Sequence, residues 1–175
     1  WYYFSVSGAK PGVPYKFNIT NMQKGDSQYN HGLRPLLYSE RRADADGVGW
    51  HRAGDEVCYY ANFLPRTKHK PYYTLAFTVT FTHADDTCYL AHCYPYTYTD
   101  LQRKLKGLQE DSERAKVTRR EVLCTTLAGN RCDLLTITNF PDAELDSQSI
   151  FAGKRGKRKR AVLLSARVHP GETNA

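Results

Sequence analysis

One stretch constrains the fold more than any other. From Tyr72 to Thr82 the chain alternates strictly: Tyr73, Leu75, Phe77, Val79 and Phe81 fall on one side, and Tyr72, Thr74, Ala76, Thr78, Thr80 and Thr82 on the other. Side chains on a strand point to opposite faces in turn, so a period of two sustained this long makes one apolar face and one mixed face. The same residues on a helix would scatter apolar groups all round the axis. The β-branched and aromatic residues that fill the stretch also favour a pleated conformation. A sheet with one apolar face needs a second layer to cover it.

Neighbouring segments supply that layer. Residues 1–22 read as two strands around a turn cluster at Gly8–Gly12, and Tyr15-Lys-Phe-Asn-Ile19-Thr alternates as cleanly as the central stretch. A polar loop near Lys24–Gly32 leads to a short strand at Pro35–Ser39. Asp44–Gly49 reads as a turn, and Trp50 opens another extended piece. Glu56–Tyr60 forms a strand, Pro65–Pro71 a connecting loop, His83–Asp86 a turn, and Thr87–His92 a returning strand. Six or more short strands at this spacing predict an antiparallel β-sandwich.

The pattern changes after the aromatic connector Tyr94-Pro-Tyr-Thr-Tyr-Thr. Thr99 or Asp100 can cap a helix, and Leu101, Leu105 and Leu108 put an apolar stripe on one face of residues 100–113. Beyond it, Glu121–Leu127, Leu134–Thr138 and Ala161–Val168 read as apolar strands of the kind buried on both faces in α/β domains. The expected fold class is therefore mainly β. An antiparallel β-sandwich over residues 1–97 would be followed by the first helix and strands of an α/β domain over residues 98–175. No internal repeat is visible.

Charge and cysteines narrow the function classes. The net charge is +7, but Lys154, Arg155, Lys157, Arg158, Lys159 and Arg160 account for six of those charges. The rest is a near-neutral body, which argues against a nucleic-acid-binding domain. The basic run reads as a solvated loop, or as a nuclear localisation signal or anionic-partner patch. Cys58, Cys88, Cys93, Cys124 and Cys132 are odd in number and lack a two-residue spacing. They read as reduced thiols of an intracellular protein, mostly small buried hydrophobes. No apolar run approaches the length needed to span a bilayer, and no membrane partner is expected. The absence of an initiator Met and the abrupt end lead us to expect a piece of a longer protein.

The last fifteen residues carry the candidate chemistry. The run Ala161–Val168 delivers His169 and Glu172 onto a Pro170-Gly171 turn. An imidazole and a carboxylate three residues apart at a strand end make half of a His2Glu zinc site, in which each ligand atom lies roughly 2.0–2.2 Å from the metal. The same residues also read as a polar turn whose side chains are simply solvated. His31, His51, His69, His83 and His92 sit at no ligand spacing and read as surface or hydrogen-bonded histidines. The aromatics Trp1, Tyr2, Tyr3 and Phe4 lack interleaved Lys and Arg, so packing suits them better than base stacking.

Several landmarks together resemble one family. Trp1-Tyr-Tyr-Phe4, Tyr15-Lys-Phe-Asn-Ile19, Gly32-Leu-Arg-Pro-Leu36, Trp50 with Tyr59-Tyr60, Tyr94–Gln102, Leu127-Ala-Gly-Asn130 and Ser165-Ala-Arg-Val-His-Pro-Gly-Glu172 are similar to the cytosolic carboxypeptidases. These are M14-type zinc metallocarboxypeptidases that remove glutamates from polyglutamylated proteins, chiefly tubulin. The terminal His-Pro-Gly-Glu-Thr-Asn-Ala resembles the cytosolic carboxypeptidase 1 branch most closely. The resemblance implies a β-sandwich domain packed on a carboxypeptidase α/β domain. It makes His169 and Glu172 the first two zinc ligands and polyglutamylated tubulin or other acidic protein tails the partners. It places the protein in the cytoplasm, with the nucleus admitted by the basic run. The third ligand histidine, the substrate-binding arginine and asparagine, and the general-base glutamate have no counterpart here, so these 175 residues are expected to be inactive alone. No catalytic residue is assigned to them and no substrate-binding residue is identified. The competing expectation is a non-catalytic β-sandwich module or scaffold that recruits tubulin or another partner.

Overall fold

In a computed structural model of the chain, residues 1–65, 70–140, 159–167 and 169 are described. They fall into two compact units. Trp1–Pro95, with the described residues after Ser165, forms the first, and Tyr96–Ser165 the second.

The first unit is a two-layer sandwich. Its elements in order are β1 (Tyr3–Ser7), β2 (Pro14–Met22), β3 (Leu36–Ser39), α1 (Glu40–Asp46), β4 (His51–Arg52), β5 (Asp55–Pro65), β6 (Pro71–Thr80) and β7 (Thr87–Ala91). One sheet runs β1-β7-β3-β4 and the other β2-β6-β5, and every pairing is antiparallel. The alternating stretch is β6, the middle strand of its sheet. Leu75, Phe77 and Val79 are buried, and Phe81 beyond the strand end is buried with them. They meet Leu37 and Leu90 of the opposite sheet in one core, the arrangement in which two sheets bury their inner faces against each other. Phe17 lies opposite Phe77 in the β2–β6 register and stacks on it at 5.4 Å. On the other face of β6, Thr74 and Ala76 are buried as well, and Asn62 donates to the Thr74 hydroxyl.

Polar groups inside the sandwich are partnered. Tyr2 and Tyr29 join hydroxyl to hydroxyl at 2.8 Å, and Tyr29 continues to His92 Nδ1 at 2.8 Å. Burial raises the Tyr29 phenol to about 12. Burial, the N-terminal amine and Arg52 hold His92 below its ordinary value. Asp86 is a second polar centre. It accepts from the Ser39 hydroxyl at 2.5 Å, the Arg41 N–H at 3.1 Å and the Cys88 thiol at 3.2 Å. Burial pushes its carboxyl up, and these three donors more than offset the effect, leaving it below the usual carboxylate range.

Helix α1 departs from the expected turn. The residues before it meet the requirements of a short helix: Ser39 caps the start through the Arg42 N–H, and Glu40 stands in the first turn. Gly47 closes it at φ 68, a left-handed conformation that other residues adopt only at a cost. The expected Asp44–Gly49 turn is therefore the end of a helix and its cap.

The second unit contains α2 (Tyr98–Glu110), α3 (Ser112–Val117), β8 (Thr118–Thr125) and β9 (Arg131–Ile137). The cap of α2 is Thr97, earlier than Thr99 or Asp100. Asp100 completes a capping box, its carboxylate accepting from the Thr97 N–H while the Thr97 hydroxyl accepts from the Asp100 N–H. Leu105 of the expected stripe is buried. Strands β8 and β9 are one antiparallel hairpin around a turn with Gly129 at φ 77. Among the described residues they are largely exposed, with Leu123 at 65%, where strands buried on both faces were expected. Nothing described covers the hairpin's outer face, and apolar runs become buried only where another layer is supplied.

A polar lock stands where the first unit has a core. Arg120 Nε donates to Asp133 Oδ1 at 2.8 Å, and Gln102 of α2 donates to Asp133 Oδ2 at 2.7 Å. Gln102 also accepts from Arg120 Nη2. The Arg120 and Asp133 side chains are only 11% and 4% exposed. The Arg120 hydrogen bond outweighs burial and holds the Asp133 carboxyl below its ordinary value.

Candidate metal centre

The terminal run is where sequence and structure differ most. Residues 161–167 take no strand pairing among the described residues. Val162, Leu163 and Leu164 are 85%, 86% and 88% exposed, against the expected buried strand. Arg167 has φ 57, a left-handed backbone conformation uncommon outside glycine.

His169 is exposed at a bend, and Glu172 lies outside the described residues, so the separation of the two candidate ligands is not defined. No group of three His, Cys, Asp or Glu side chains that could hold a metal occurs among the described residues. As donors, a neutral imidazole and a carboxylate suit zinc, and the chemistry of the pair fits the metal. Of the basic run, Lys154, Arg155, Lys157 and Arg158 lie outside the described residues. Lys159 donates to the Thr138 hydroxyl and the Asn139 carbonyl, and Arg160 is exposed.

The sandwich carries a polar cleft that sequence reasoning did not single out. It holds about 280 Å³ and is lined by Arg34, Arg42, His51, Thr78 and Thr80 among others. His51 Nδ1 lies 3.0 Å from the Gly49 carbonyl, which can only accept, so this nitrogen carries the ring proton. Nε2 is left to accept from Arg42 Nη1 at 3.4 Å. Arg34 faces Asp55 at 3.6 Å across solvent-exposed side chains. The cleft thus has two guanidinium groups and threonine hydroxyls against one carboxylate at its rim. Arg34, Arg42 and His51 come from separate elements and show no ligand spacing, which is why the strand pattern alone does not reveal it.

The other expectations for single residues divide. Cys88 is buried, and burial followed by the hydrogen bond to Asp86 raises its thiol to about 12. Cys93 is half-buried and accepts from Trp1 Nε1 at 3.1 Å. Cys58, Cys124 and Cys132 are exposed, so mostly buried cysteines is not what the fold delivers. Tyr2 packs in the core, while Trp1 and Tyr3 stand on the outer face with Trp50. No helix among the described residues is long and apolar enough to cross a membrane.

No protein-family model matches the sequence. Curated proteins match it from end to end. Cytosolic carboxypeptidase 3 of Bos taurus is 45% identical over 175 residues, covering 100% of this chain and 16% of that protein. Cytosolic carboxypeptidase 1 of Homo sapiens is 45% identical over 183 residues, covering 100% and 15%. Cytosolic carboxypeptidase 2 of Xenopus tropicalis is 47% identical over 174 residues, covering 99% and 17%. Among solved structures, a metallo-carboxypeptidase from Pseudomonas aeruginosa in complex with (2-guanidinoethylmercapto)succinic acid aligns over 83% of this chain and 32% of its own. Its TM-score is 0.48 and its identity 21%, too loose a likeness to carry weight. The three numbered branches match about equally, so the expected placement in the first is not distinguished. The chain spans about one sixth of the length of the curated relatives it matches, and along all of its residues it is a homologue of one segment of the cytosolic carboxypeptidases.

Proposed function

We propose that this chain is part of a zinc-dependent metallocarboxypeptidase of the cytoplasm that removes glutamates from acidic protein tails, polyglutamylated tubulin among them. The observation that carries the reading is identity near 45% over the whole chain to proteins named cytosolic carboxypeptidases. His169 and Glu172 are assigned as two of the zinc ligands, because they carry the donor types a catalytic zinc takes. When bound, zinc supplies a Lewis acid at the scissile carbonyl. The 175 residues by themselves are proposed to be inactive, since the resemblance assigns them two ligands and no general base.

The test is glutamate release from a peptide with a polyglutamate tail, using the full-length protein. Release should be abolished by His169→Ala and Glu172→Ala, and a tail of aspartates should be cut far more slowly. Undiminished release by both variants would remove these residues from the site.

One observation favours a second role for the sandwich, as a module that binds the acidic tail. The cleft with Arg34 and Arg42 offers guanidinium groups to carboxylates, and such attraction is screened by salt. Arg34→Ala with Arg42→Ala should weaken capture of a polyglutamate peptide at low ionic strength. Binding that ignores both substitutions would leave the sandwich without this role.

A further inference from the structure

Cys124 and Cys132 face each other across the β8–β9 hairpin as direct Cα partners. Directly opposed residues of an antiparallel pair have Cα atoms about 4.5 or 5.5 Å apart, depending on the hydrogen-bonding position. Both separations fall within the roughly 4.4–6.8 Å that a disulfide bridges. Directly opposed residues of an antiparallel pair carry their side chains on the same face of the sheet, so the two thiols are cross-strand neighbours. Both cysteines are exposed and unbridged. A bulge between Val122 and Cys124 precedes the pair, and the turn beyond it is closed by Thr126 and Asn130. We propose that Cys124 and Cys132 form a reversible oxidation site, closing to an intramolecular disulfide on reaction with low-molecular-weight disulfides such as oxidised glutathione.

The other thiols provide the contrast. Cys88 is buried against Asp86 with its proton held tightly. Cys93 accepts from Trp1. Cys58 lies opposite Ala76, with no thiol across from it. Among the described residues, only the hairpin places two exposed cysteines directly opposite one another.

The chemistry balances without a metal or an enzyme. The neighbouring Cys124 thiol raises the Cys132 thiol above its ordinary value. Attack on the external disulfide therefore falls to Cys124. Its thiolate bonds to one sulfur of the small disulfide, the S–S bond breaks, and one small thiolate leaves and takes a proton. Cys132 then gives up its proton, its sulfur attacks Cys124 Sγ, and the second small thiol is expelled. Two electrons pass from the protein dithiol to the small disulfide, which ends as two thiols. An added reduced thiol in excess runs the sequence backwards. The cross-link fixes the two strands immediately before the Thr126–Asn130 turn.

Trypsin separates the pair, because Arg131 lies between them: Cys124 falls on Glu121–Arg131 and Cys132 on Cys132–Lys154. Full-length protein is equilibrated with mixtures of reduced and oxidised glutathione, blocked with iodoacetamide without reduction, digested and analysed by mass spectrometry. As oxidised glutathione increases, the two peptides should appear joined, two hydrogens lighter than their sum, and should separate again on reduction. In Cys132→Ser the reaction should stop at a glutathione adduct on Cys124. The proposal is overturned if both peptides remain fully alkylated in large excess of oxidised glutathione. It is equally overturned if both carry glutathione without joining, or if Cys124 is found joined to Cys58.

Discussion

Phe77 and Arg120 belong to two units built on opposite principles. Phe77 is fully buried between two sheets that cover each other, and each layer supplies the apolar surface the other needs. Arg120 is packed against Asp133 and Gln102 in a unit whose described residues include one buried hydrophobic residue, Leu105. The first unit closes its own core. The second is held together by a hairpin ladder, a capped helix and one satisfied ionic network. A network of that kind contributes chiefly specificity, because desolvating the ions offsets most of their attraction. The two should therefore fail in different ways.

Separate probes can follow them. Trp1 and Trp50 both belong to the sandwich, while most helical residues belong to the second unit. The largest expected effect is in the sandwich core. Phe77→Ala should cost about 3–5 kcal/mol, seen as a loss of denaturant midpoint in tryptophan fluorescence with little change in the helical circular dichroism signal. Coincident loss of both signals would mean that the two units unfold as one.

Next comes the ionic lock. Arg120→Ala leaves the Asp133 carboxylate buried without its partner and should cost roughly 3 kcal/mol, this time in the helical signal. Replacing Arg120 and Asp133 together by Met and Leu should restore most of the loss. If the double replacement is as damaging as the single one, the lock carries more stability than a pair of desolvated ions should.

Acid separates the units further. His92 has a lowered value in the folded sandwich, so below about pH 6.5 the unfolded state takes up a proton that the folded state refuses, and stability falls. Asp86 and Asp133 are also lowered. Their contributions are complete above about pH 4 and are lost as the pH falls through their depressed values. Tryptophan fluorescence should therefore report weakening from near neutrality, the helical signal only in stronger acid. His92→Gln should flatten the first of these.

The smallest effect is expected where apolar residues meet solvent. Leu163→Ala should change stability by less than about 0.5 kcal/mol, since Leu163 is 86% exposed. A larger loss in the full-length protein than in these 175 residues would show that another layer covers the run.

The same contrast explains what could be read from the sequence. The sandwich was legible because its strands carry their own pattern: the alternation of Tyr72–Thr82 assigns Leu75, Phe77 and Val79 to the inside without knowledge of the partner sheet. Helix α1 was missed although Ser39, Glu40 and Gly47 spell its start and end, because its middle, Arg41-Arg-Ala-Asp-Ala-Asp46, has no apolar stripe. The hairpin was misjudged for the opposite reason. Its apolar residues describe a burial that depends on a layer the described residues do not supply. The lock of Arg120, Asp133 and Gln102 leaves no local signal, since its members come from three elements. At the candidate metal centre, His169 and Glu172 were legible as donors only, and geometry at the end of residues 159–167 was not.

The central claim is that His169 and Glu172 help hold a zinc ion. The most direct measurement is metal content by elemental mass spectrometry on full-length protein purified without chelator, for wild type, His169→Ala and Glu172→Ala. We predict one zinc per wild-type chain and its loss in each variant, with the circular dichroism spectrum unchanged in all three. Equal zinc in the three proteins would contradict the account.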